Sequence, residues 1–219
     1  MTRLSLRQPA RGEGYRVNVD ALHLAAFARP VRGTLVDLGA GVGAVGLSIA
    51  LRLLPRRLLL IEIDRTAAVI AQENAALNGL SDRVTVVPLD VLEAARAHVG
   101  VATLVVSNPP YFEPGTGRAA RAAPQARMGE LVHFVEAARL LLGRRGRVCF
   151  VYPARDVVRL VGTLREAGLE PKRMQFVHAK RDRPARICLV EATPGKPGGL
   201  VTEPPLFEND ARAEARSAT

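Results

Sequence analysis

The stretch Thr34-Leu-Val-Asp-Leu-Gly-Ala-Gly-Val-Gly-Ala-Val-Gly46 joins a short apolar run to a turn of closely spaced glycines. The run predicts a buried strand, and the residues after the glycines predict a helix. Glycines at such a junction let a ligand approach the backbone, and the helix amino terminus adds a partial positive charge. We therefore expect the first strand of a doubly wound sheet here, with a small-molecule site beside it. Because Gly41, Gly43 and Gly46 also fit the glycine spacing of nicotinamide-binding folds, the turn does not identify the ligand.

Apolar runs and amphipathic stretches alternate along the rest of the chain. Most of the runs are continuous, as expected for parallel strands that helices cover on both faces. The runs predict strands at residues 34–38, 58–63, 84–88, 102–106, 146–152, 172–178 and 185–192. The amphipathic stretches predict helices at about residues 44–54, 65–78, 91–98, 129–142 and 154–167. This order predicts an α/β fold with a doubly wound, mostly parallel seven-stranded sheet.

The last two predicted strands are separated only by residues 179–184, which read Ala-Lys-Arg-Asp-Arg-Pro. This turn-like segment is too short for a helical crossover, so we expect the two strands to pair antiparallel as a C-terminal hairpin. A mostly parallel sheet that ends in one antiparallel hairpin is typical of methyltransferase-like folds and distinguishes them from dinucleotide-binding folds.

The length of 219 residues fits one domain with a single substantial core. We expect this domain to span residues 1–207. Residues 1–30 are predicted to form an N-terminal helix or lid segment, in which Asn18 or Asp20 caps the helix. Residues 208–219 are predicted to be a flexible tail.

Several classes of protein are excluded by the composition. The longest apolar stretch, residues 47–60, contains a proline and three arginines and is shorter than the roughly 20 residues that cross a bilayer. The amino terminus lacks the apolar region of a secretory signal, so we expect no membrane contact and a cytoplasmic location. Cys149 and Cys188 lie in apolar runs and are predicted to be buried, reduced thiols. The cysteines and histidines lack zinc spacing, so no metal site is expected.

Basic residues outnumber acidic residues by 31 to 21, and the formal net charge is +10. All but three of the basic residues are arginines. Such a surplus favours a polyanionic partner, because each phosphate that a protein neutralises releases counterions. A proteome that is generally rich in arginine would produce the same surplus, so the charge leaves both interpretations open.

An acidic residue follows each of the first three predicted strands: Asp37, Glu62 and Asp90. We expect Asp37 to hold an ammonium group directly or through water, Glu62 to accept from both hydroxyls of a ribose, and Asp90 to accept from an adenine amino group. S-adenosylmethionine contains all three groups and lacks a pyrophosphate, so it is the cofactor that this pattern favours. Helix capping and turn formation are the alternative roles of Asp37 and Asp90.

The fourth predicted strand ends in Ser107-Asn-Pro-Pro-Tyr-Phe112, the most specific motif in the chain. The two prolines have no N–H donors, which leaves backbone carbonyls free to accept hydrogen bonds. We expect a substrate NH2 group to donate to the Asn108 side-chain oxygen and to the Pro109 carbonyl, which directs its lone pair at an electrophilic methyl group. The ring of Tyr111 offers a face on which a base or an amide can stack. The predicted catalytic residues are Asn108, Pro109, Pro110 and Tyr111; the predicted cofactor-binding residues are Asp37, Gly39, Gly41, Gly43, Glu62, Asp90 and Asn108.

Together these motifs resemble those of the class I S-adenosylmethionine-dependent N-methyltransferases that carry an NPPY motif. More narrowly, the chain resembles the bacterial tRNA(Val) adenine-N6 methyltransferase family over about residues 8–207. The resemblance rests on Gly14-Tyr-Arg-Val-Asn-Val-Asp20, Glu62-Ile-Asp64, Asn108-Pro-Pro-Tyr-Phe112 and Lys180-Arg-Asp-Arg-Pro-Ala-Arg186. The chain has arginines where the family has lysines, and it lacks an aromatic-rich ending after Phe207. The resemblance implies a Rossmann-like fold, an N-terminal segment that lies over the cofactor near Asp20, and methylation of an adenine N6 amino group in tRNA.

Two basic segments are the candidates for nucleic-acid contact. One is residues 112–128, whose glycines, prolines and arginines predict a mobile loop, and the other is the predicted hairpin. The candidate residues are Arg118, Arg121, Arg127, Lys180, Arg181, Arg183 and Arg186. A solvated, arginine-rich surface is the alternative interpretation. The four histidines lie outside the motifs, and we expect them to be structural or on the surface.

The motifs favour an RNA adenine-N6 methyltransferase whose substrate is tRNA. The same acceptor group also fits an N-methyltransferase that acts on a protein glutamine amide or on a small molecule. A nucleic-acid-binding module with a degenerate pocket is a third hypothesis, which the complete set of site residues disfavours. A nicotinamide-dependent oxidoreductase, suggested by the glycine spacing alone, is the least supported.

Overall fold

The computed structural model describes residues 4–9, 18–110 and 124–208, and for residues 124–130 it describes the backbone alone. Helices and strands alternate along these residues, and a short 3-10 helix at Ala154–Asp156 precedes the last helix. The helices are α1 Val19–Phe27, α2 Ala44–Leu53, α3 Arg65–Leu77, α4 Val91–Ala97, α5 Pro124–Leu141 and α6 Val157–Glu166. The strands are β1 Thr34–Leu38, β2 Arg57–Ile61, β3 Val84–Val87, β4 Ala102–Ser107, β5 Leu142–Pro153, β6 Leu169–His178, β7 Ala185–Pro194, β8 Val201–Thr202 and β9 Leu206–Phe207.

The strands form one sheet in the order β3-β2-β1-β4-β5-β7-β6-β8, and β9 also pairs with β6. The first five strands of this order are parallel, whereas β7 is antiparallel to both β5 and β6. The predicted fold class and the C-terminal hairpin are therefore confirmed. The short strands β8 and β9 raise the described strand count from seven to nine. They have two residues each, which is too few for an alternating pattern to be visible in a sequence.

Helices cover both faces of the sheet. Apolar side chains of α1, α2 and α3 pack with Leu35 and Leu104 on one face. Those of α4, α5 and α6 pack with Val36 and Val105 on the other face. Neighbouring strand residues belong to opposite clusters because strand side chains alternate between the two faces. Both faces are therefore buried, which explains the continuous apolar runs of the parallel strands.

The two cysteines lie on opposite faces of the sheet. Cys149 belongs to the first apolar cluster and Cys188 to the second, and both are buried free thiols. Burial raises the pKa of both thiols, that of Cys188 to about 12. The prediction of buried, reduced cysteines is confirmed.

Two of the predicted boundaries, the starts of α5 and β5, differ from the structure by four residues or more. The segment predicted as a mobile loop, residues 112–128, ends in helix, because α5 begins at Pro124 and not at residue 129. Residues 112–123 lie outside the described residues. Strand β5 begins at Leu142, four residues before the predicted start, in a segment where glycines and arginines hide the apolar pattern.

The N-terminal helix α1 is capped by Asn18, whose Oδ1 accepts a hydrogen bond from the Ala21 N–H at 3.3 Å. Its C-terminal carbonyls are held by arginines from three other elements. Arg52 donates to the Ala28 carbonyl at 2.7 Å, and Arg173 donates to the Phe27 carbonyl at 2.7 Å. Arg147 donates to the carbonyl just beyond, that of Arg29, at 2.9 Å. Part of the arginine surplus therefore satisfies helix-end carbonyls inside the protein.

Every helix in the described part of the chain is too short or too polar to span a bilayer. Across the same residues, no group of three or more His, Cys, Asp or Glu side chains is placed to hold a metal ion.

Candidate active site

The glycine turn between β1 and α2 is held in one conformation by backbone hydrogen bonds. The N–H groups of Gly39 and Ala40 donate to the Ile61 carbonyl at 3.0 and 2.9 Å. Gly39, Gly41 and Gly43 have φ angles of +67°, +55° and +85°. Side chains are disfavoured in this left-handed region, which explains why glycine occupies all three positions.

Asp37 lies beneath the glycine turn. Its side chain is only 1% exposed, and its Oδ2 accepts a hydrogen bond from the Gly46 N–H at 2.7 Å. Burial raises the pKa of this carboxyl to about 7, against the lowering effect of the Gly46 hydrogen bond. A Cβ on Gly46 would lie 3.1 Å from Asp37 Oδ2 and 2.7 Å from Leu60, so only glycine fits there. The structure thus places Asp37 as a support of the turn, outside the residues that line the cavity, and its contact with an ammonium group, directly or through water, stays a prediction.

Glu62 follows β2 and connects two segments of the site. Its Oε2 accepts from the Gly41 N–H at 2.7 Å, and its Oε1 accepts from the Asp64 N–H at 2.8 Å. A carboxylate oxygen can accept more than one hydrogen bond, so both oxygens retain acceptor capacity toward a ligand.

Asp90 caps a helix and also lies in the cavity wall. Its Oδ1 accepts from the N–H groups of Leu92 and Glu93 at 2.9 and 3.4 Å, which makes it the N-cap of α4. Asp90 also lines the same cavity as Glu62. The capping interpretation is therefore confirmed. The residue that caps α4 also lies in the cavity wall.

A cavity of about 370 Å³ opens at the carboxyl ends of the parallel strands. This volume lies in the range of small-molecule sites. The predicted residues that line it are Gly39, Gly41, Glu62, Asp90, Asn108 and Pro110. The lining residues that were not predicted are Pro9, Ile63, Asp64, Thr66, Ala67, Val91, His133 and Phe134.

Ile63 is the most informative of the unpredicted residues. It is 67% exposed, although it is a large apolar side chain. Its position between Glu62 and Asp64 is the sequence signal that could have identified it, because an apolar residue between two acids directly after a strand has no place in the core. An exposed apolar side chain in a cavity wall provides a surface for the flat part of a ligand.

Asn108 carries a buried acceptor that none of the described residues uses. Its Oδ1 has no hydrogen-bond partner among the described residues. The preceding Ser107 donates from its Oγ to the Leu38 carbonyl at 2.9 Å, which fixes the end of β4 against β1. A buried oxygen without a partner costs about 1–3 kcal/mol, so a partner is expected from a ligand. Pro109 is buried and Pro110 is exposed, whereas Tyr111 lies outside the described residues.

Helix α5 supplies the remaining wall of the cavity through His133 and Phe134. A Cβ on Gly39 would lie 2.9 Å from the ring of Phe134, so this ring packs directly against the turn. His133 is exposed, as expected for a surface histidine, but its place in the cavity wall was not foreseen. No motif marks it, because its position depends on how α5 packs across the sheet.

The basic candidates separate into different groups. Lys180 and Arg183 are exposed at the hairpin turn, and the guanidinium of Arg181 lies 4.4 Å from the ring centroid of Phe207. Arg186 differs from these neighbours because its charge is already paired within the protein, and its contact with nucleic acid stays a prediction. Its guanidinium is 33% exposed and forms ion pairs with Asp20, at 2.6 Å, and with Glu208.

The ion pairs of Arg186 involve two other residues that the sequence analysis had placed elsewhere. Asp20 is 2% exposed and engages Arg186, so its role is to join α1 to β7, whereas the cap of α1 is Asn18. Glu208, the first residue of the predicted tail, pairs with Arg186 and lies 3.4 Å from His23. Arg118, Arg121 and residues 209–219 lie outside the described residues, as does the side chain of Arg127.

Comparison with known proteins agrees with this geometry. The model of the methyltransferase small domain family matches residues 18–158. A tRNA1(Val) (adenine(37)-N6)-methyltransferase of Erwinia tasmaniensis is 32% identical over 189 residues, which cover 84% of this chain and 76% of that protein.

Solved structures show the same fold. A predicted O-methyltransferase from Agrobacterium tumefaciens superposes with a TM-score of 0.69 over 86% of both chains, at 24% identity. A geranyl diphosphate C-methyltransferase of Streptomyces coelicolor, in complex with S-adenosyl-L-homocysteine, has a TM-score of 0.59 at 14% identity and covers 81% of this chain and 79% of that one. The Rossmann-like class I methyltransferase fold and the resemblance to the family are both confirmed. The chain belongs to the methyltransferase small domain family, within which it groups with the bacterial tRNA1(Val) (adenine(37)-N6)-methyltransferases.

Proposed function

We propose that this protein is an S-adenosylmethionine-dependent methyltransferase that methylates the N6 amino group of an adenine in tRNA. The observation that carries the proposal is the buried Oδ1 of Asn108, which has no partner among residues 4–9, 18–110 and 124–208, in a cavity that Glu62 and Asp90 also line. A substrate NH2 group needs an acceptor for its hydrogen bond, and this acceptor lies in the wall of a cavity whose size suits a cofactor. The enzymes named for this activity are similar to the chain over most of its length.

The cavity residues fit S-adenosylmethionine. The Glu62 carboxylate retains acceptor capacity for the ribose hydroxyls, and Asp90 presents its carboxylate for an adenine amino group. Ile63 offers an apolar surface for the adenine ring. The backbone of Gly39 and Gly41 leaves room for the amino-acid end, because these positions have no side chains. When bound, the cofactor supplies an electrophilic methyl group.

Asn108 and Pro109 provide the acceptors for the nitrogen that is methylated. An adenine NH2 group donates one hydrogen bond to Asn108 Oδ1 and the other to the Pro109 carbonyl. These bonds orient the nitrogen lone pair toward the methyl group. The residues therefore act by positioning two reactants, and such positioning removes a large part of the activation barrier of a bimolecular displacement. Tyr111 stacks on the base in this proposal. The amino proton leaves to water after the nitrogen has been alkylated, so no side-chain base is required.

A tRNA substrate agrees with the form of the site and with the charge. An adenine must be turned outward from its neighbours to reach Asn108, which favours a nucleotide in an exposed loop. The exposed Lys180 and Arg183 at the hairpin turn are available for phosphate contacts. We further propose that residues 1–207 form the catalytic domain and that the enzyme acts in the cytoplasm, where its tRNA substrate is found.

Incubation with labelled S-adenosylmethionine tests the proposal. The purified protein is given total tRNA in one reaction and total protein in another, and the tRNA nucleosides are then separated. We expect the label in N6-methyladenosine from tRNA, and its absence when Asn108→Ala replaces the wild type. Label in the protein fraction alone would assign the acceptor to a glutamine amide, and no incorporation in any fraction would contradict the proposed activity.

A further inference from the structure

Residues 4–9, which we call the strap, cross the outside of α3 and end at the cofactor cavity. Leu4 and Leu6 pack against the apolar cluster beneath α1, α2 and α3. Pro9 lines the cavity together with Glu62 and Ile63. The strap is therefore one of the walls of the site, although it ends 28 residues before Asp37, the first of the predicted site residues.

Two asparagines of α3 and the turn after it hold the strap. The side-chain amide of Asn78 accepts from the Ser5 N–H at 3.0 Å and donates to the Ser5 carbonyl at 2.7 Å. The side-chain amide of Asn74 likewise accepts from the Arg7 N–H at 2.7 Å and donates to the Arg7 carbonyl at 3.0 Å. Each asparagine side chain thus makes the two hydrogen bonds that a backbone residue of a neighbouring strand would make.

The spacing of the two asparagines along α3 matches the spacing of their partners along the strap. Residues four apart on a helix are about 6 Å apart along its axis, and residues two apart in an extended chain are separated by about 6.6 Å. Asn78 pairs with Ser5 and Asn74 pairs with Arg7, so the strap runs opposite to α3. This direction leads the chain toward the amino end of α3, where the cavity lies.

Asn74 makes a third contact, which reaches the glycine turn. Its Nδ2 donates to the Val42 carbonyl at 2.9 Å, and the side chain is fully buried. Val42 directly follows Gly41, which lines the cavity. One amide thus connects two walls of the site that are separate in sequence.

We propose that Asn74 is a positioning residue of the cofactor site, which sets the strap and the glycine turn at the separation that S-adenosylmethionine requires. This inference rests on the proposed function. Removal of the amide leaves the Val42 carbonyl and both polar groups of the Arg7 backbone without their partners. The turn and the strap can then move apart, which weakens cofactor binding and leaves the acceptor residues at Asn108 unchanged.

Three variants separate this role from a general loss of stability. Asn74→Ala removes the whole connection. Arg7→Pro removes the N–H that donates to Asn74 Oδ1, together with the exposed ion pair between Arg7 and Glu73, and it does so on the strap, outside the buried core. Glu73→Ala is the matched control, because Glu73 neighbours Asn74 and pairs with the Arg7 side chain at 3.0 Å, but that ion pair is exposed.

Calorimetric titration of the wild type and each variant with S-adenosylmethionine is the test. Circular dichroism confirms that each protein is folded at the temperature used. We expect Asn74→Ala to raise Kd about tenfold and Arg7→Pro about fivefold, as the loss of buried hydrogen bonds implies. Glu73→Ala should bind as the wild type does. At saturating cofactor, kcat on tRNA should change less than about twofold in Asn74→Ala, because the methyl-acceptor side is intact.

The inference is overturned if folded Asn74→Ala and Arg7→Pro bind the cofactor as tightly as the wild type. It is also overturned if these variants lose kcat while Kd is unchanged. Should Asn74→Ala fail to fold, Arg7→Pro decides the outcome, because it leaves every core side chain in place. A wild-type protein that does not bind S-adenosylmethionine would contradict the proposed function itself, which distinguishes the two failures.

Discussion

The two sides of the cavity differ in how their polar groups are satisfied. On the glycine-turn side, Gly41, Gly46 and Val42 hydrogen-bond to Glu62, Asp37 and Asn74 respectively. On the opposite side, Asn108 Oδ1 is buried and has no partner in the described part of the chain.

The difference indicates that the two sides of the cavity contribute to different steps, one to cofactor binding and the other to turnover. A turn whose hydrogen bonds are already made has little freedom to lose when a cofactor binds, which favours affinity. An acceptor that is left without a partner gains a hydrogen bond only when the substrate arrives, and this gain contributes to turnover. Changes on the glycine-turn side should therefore affect cofactor affinity or stability, and changes at Asn108 should affect the chemical step.

The largest effect is expected for Asn108→Ala. Loss of the acceptor oxygen should lower kcat by a factor of about 100 to 1,000, the range seen when one positioned hydrogen-bonding group is removed from an active site. Single-turnover assays on tRNA measure the change. Calorimetry should give a Kd for S-adenosylmethionine within about twofold of the wild type. An unchanged kcat would refute the role assigned to Asn108, and an equal loss of cofactor affinity would remove the contrast between the two sides.

Asp37 supplies a pH test of the support beneath the turn. Its pKa is raised by burial to about 7 in the folded protein, from 3.8 in the absence of the fold. The folded state therefore binds the proton more tightly, so this group stabilises the protein at low pH and loses that contribution as pH rises toward 7. Between pH 5 and pH 8, the free energy of unfolding should fall by roughly 2 to 3 kcal/mol through this group.

The matched variant is Asp37→Asn, which has no titrating proton and keeps an oxygen for the Gly46 N–H. Urea unfolding of both proteins at pH 5 and pH 8 isolates the contribution of Asp37 as the difference between their pH dependences. Equal pH dependence in the two proteins would show that the buried carboxyl is not protonated in the fold.

Glu62→Ala should weaken cofactor binding about tenfold, because the variant loses the acceptors for a ribose and the partner of the Gly41 N–H. Glu62→Gln retains one acceptor oxygen, so its Kd for the cofactor should lie between those of Glu62→Ala and the wild type. Titration with S-adenosylmethionine measures both constants. If Glu62→Ala binds as the wild type does, Glu62 does not belong to the cofactor side.

The smallest effect is expected at the hairpin turn. Replacement of Lys180 and Arg183 by glutamine should weaken tRNA binding a few-fold, and should reduce the slope of log Kd against log salt by about one for each phosphate contact. Arg186→Gln is the contrasting variant, because its ion pairs with Asp20 and Glu208 predict a loss of stability and an unchanged salt slope. Filter binding at several salt concentrations and thermal unfolding separate the two outcomes. A salt slope that is unaffected by the double replacement would exclude the hairpin from the RNA surface.

The fold followed from local patterns. Continuous apolar runs, their alternation with helical stretches and the short turn before Ala185 were enough to predict the parallel sheet and its antiparallel hairpin. These features depend on residues close together in sequence and on general rules of chain connection. The same is true of the glycine turn and of the acids after the strands, because the carboxyl ends of parallel strands meet at one edge.

The partners of individual polar atoms did not follow from the sequence. Asp37 and Asp90 look alike in the chain, each an acid beside a strand end, yet the first is buried beneath the turn and the second lines the cavity. Arg186 looked like its basic neighbours in the hairpin, but the packing of α1 against β7 brings Asp20 to it. No local pattern distinguishes these cases, since burial depends on the helices that pack above each residue.

The sequence was sufficient for the class of fold, the order of the motifs and the methyl-transfer chemistry that those motifs share. The three-dimensional packing was needed to reveal the strap, the exposed wall at Ile63 and His133, and the connection that Asn74 makes between Arg7 and Val42. The physical reason is range. Periodicity and turn chemistry act over a few residues, whereas a hydrogen bond between groups 67 residues apart exists only once the core has brought the two segments together.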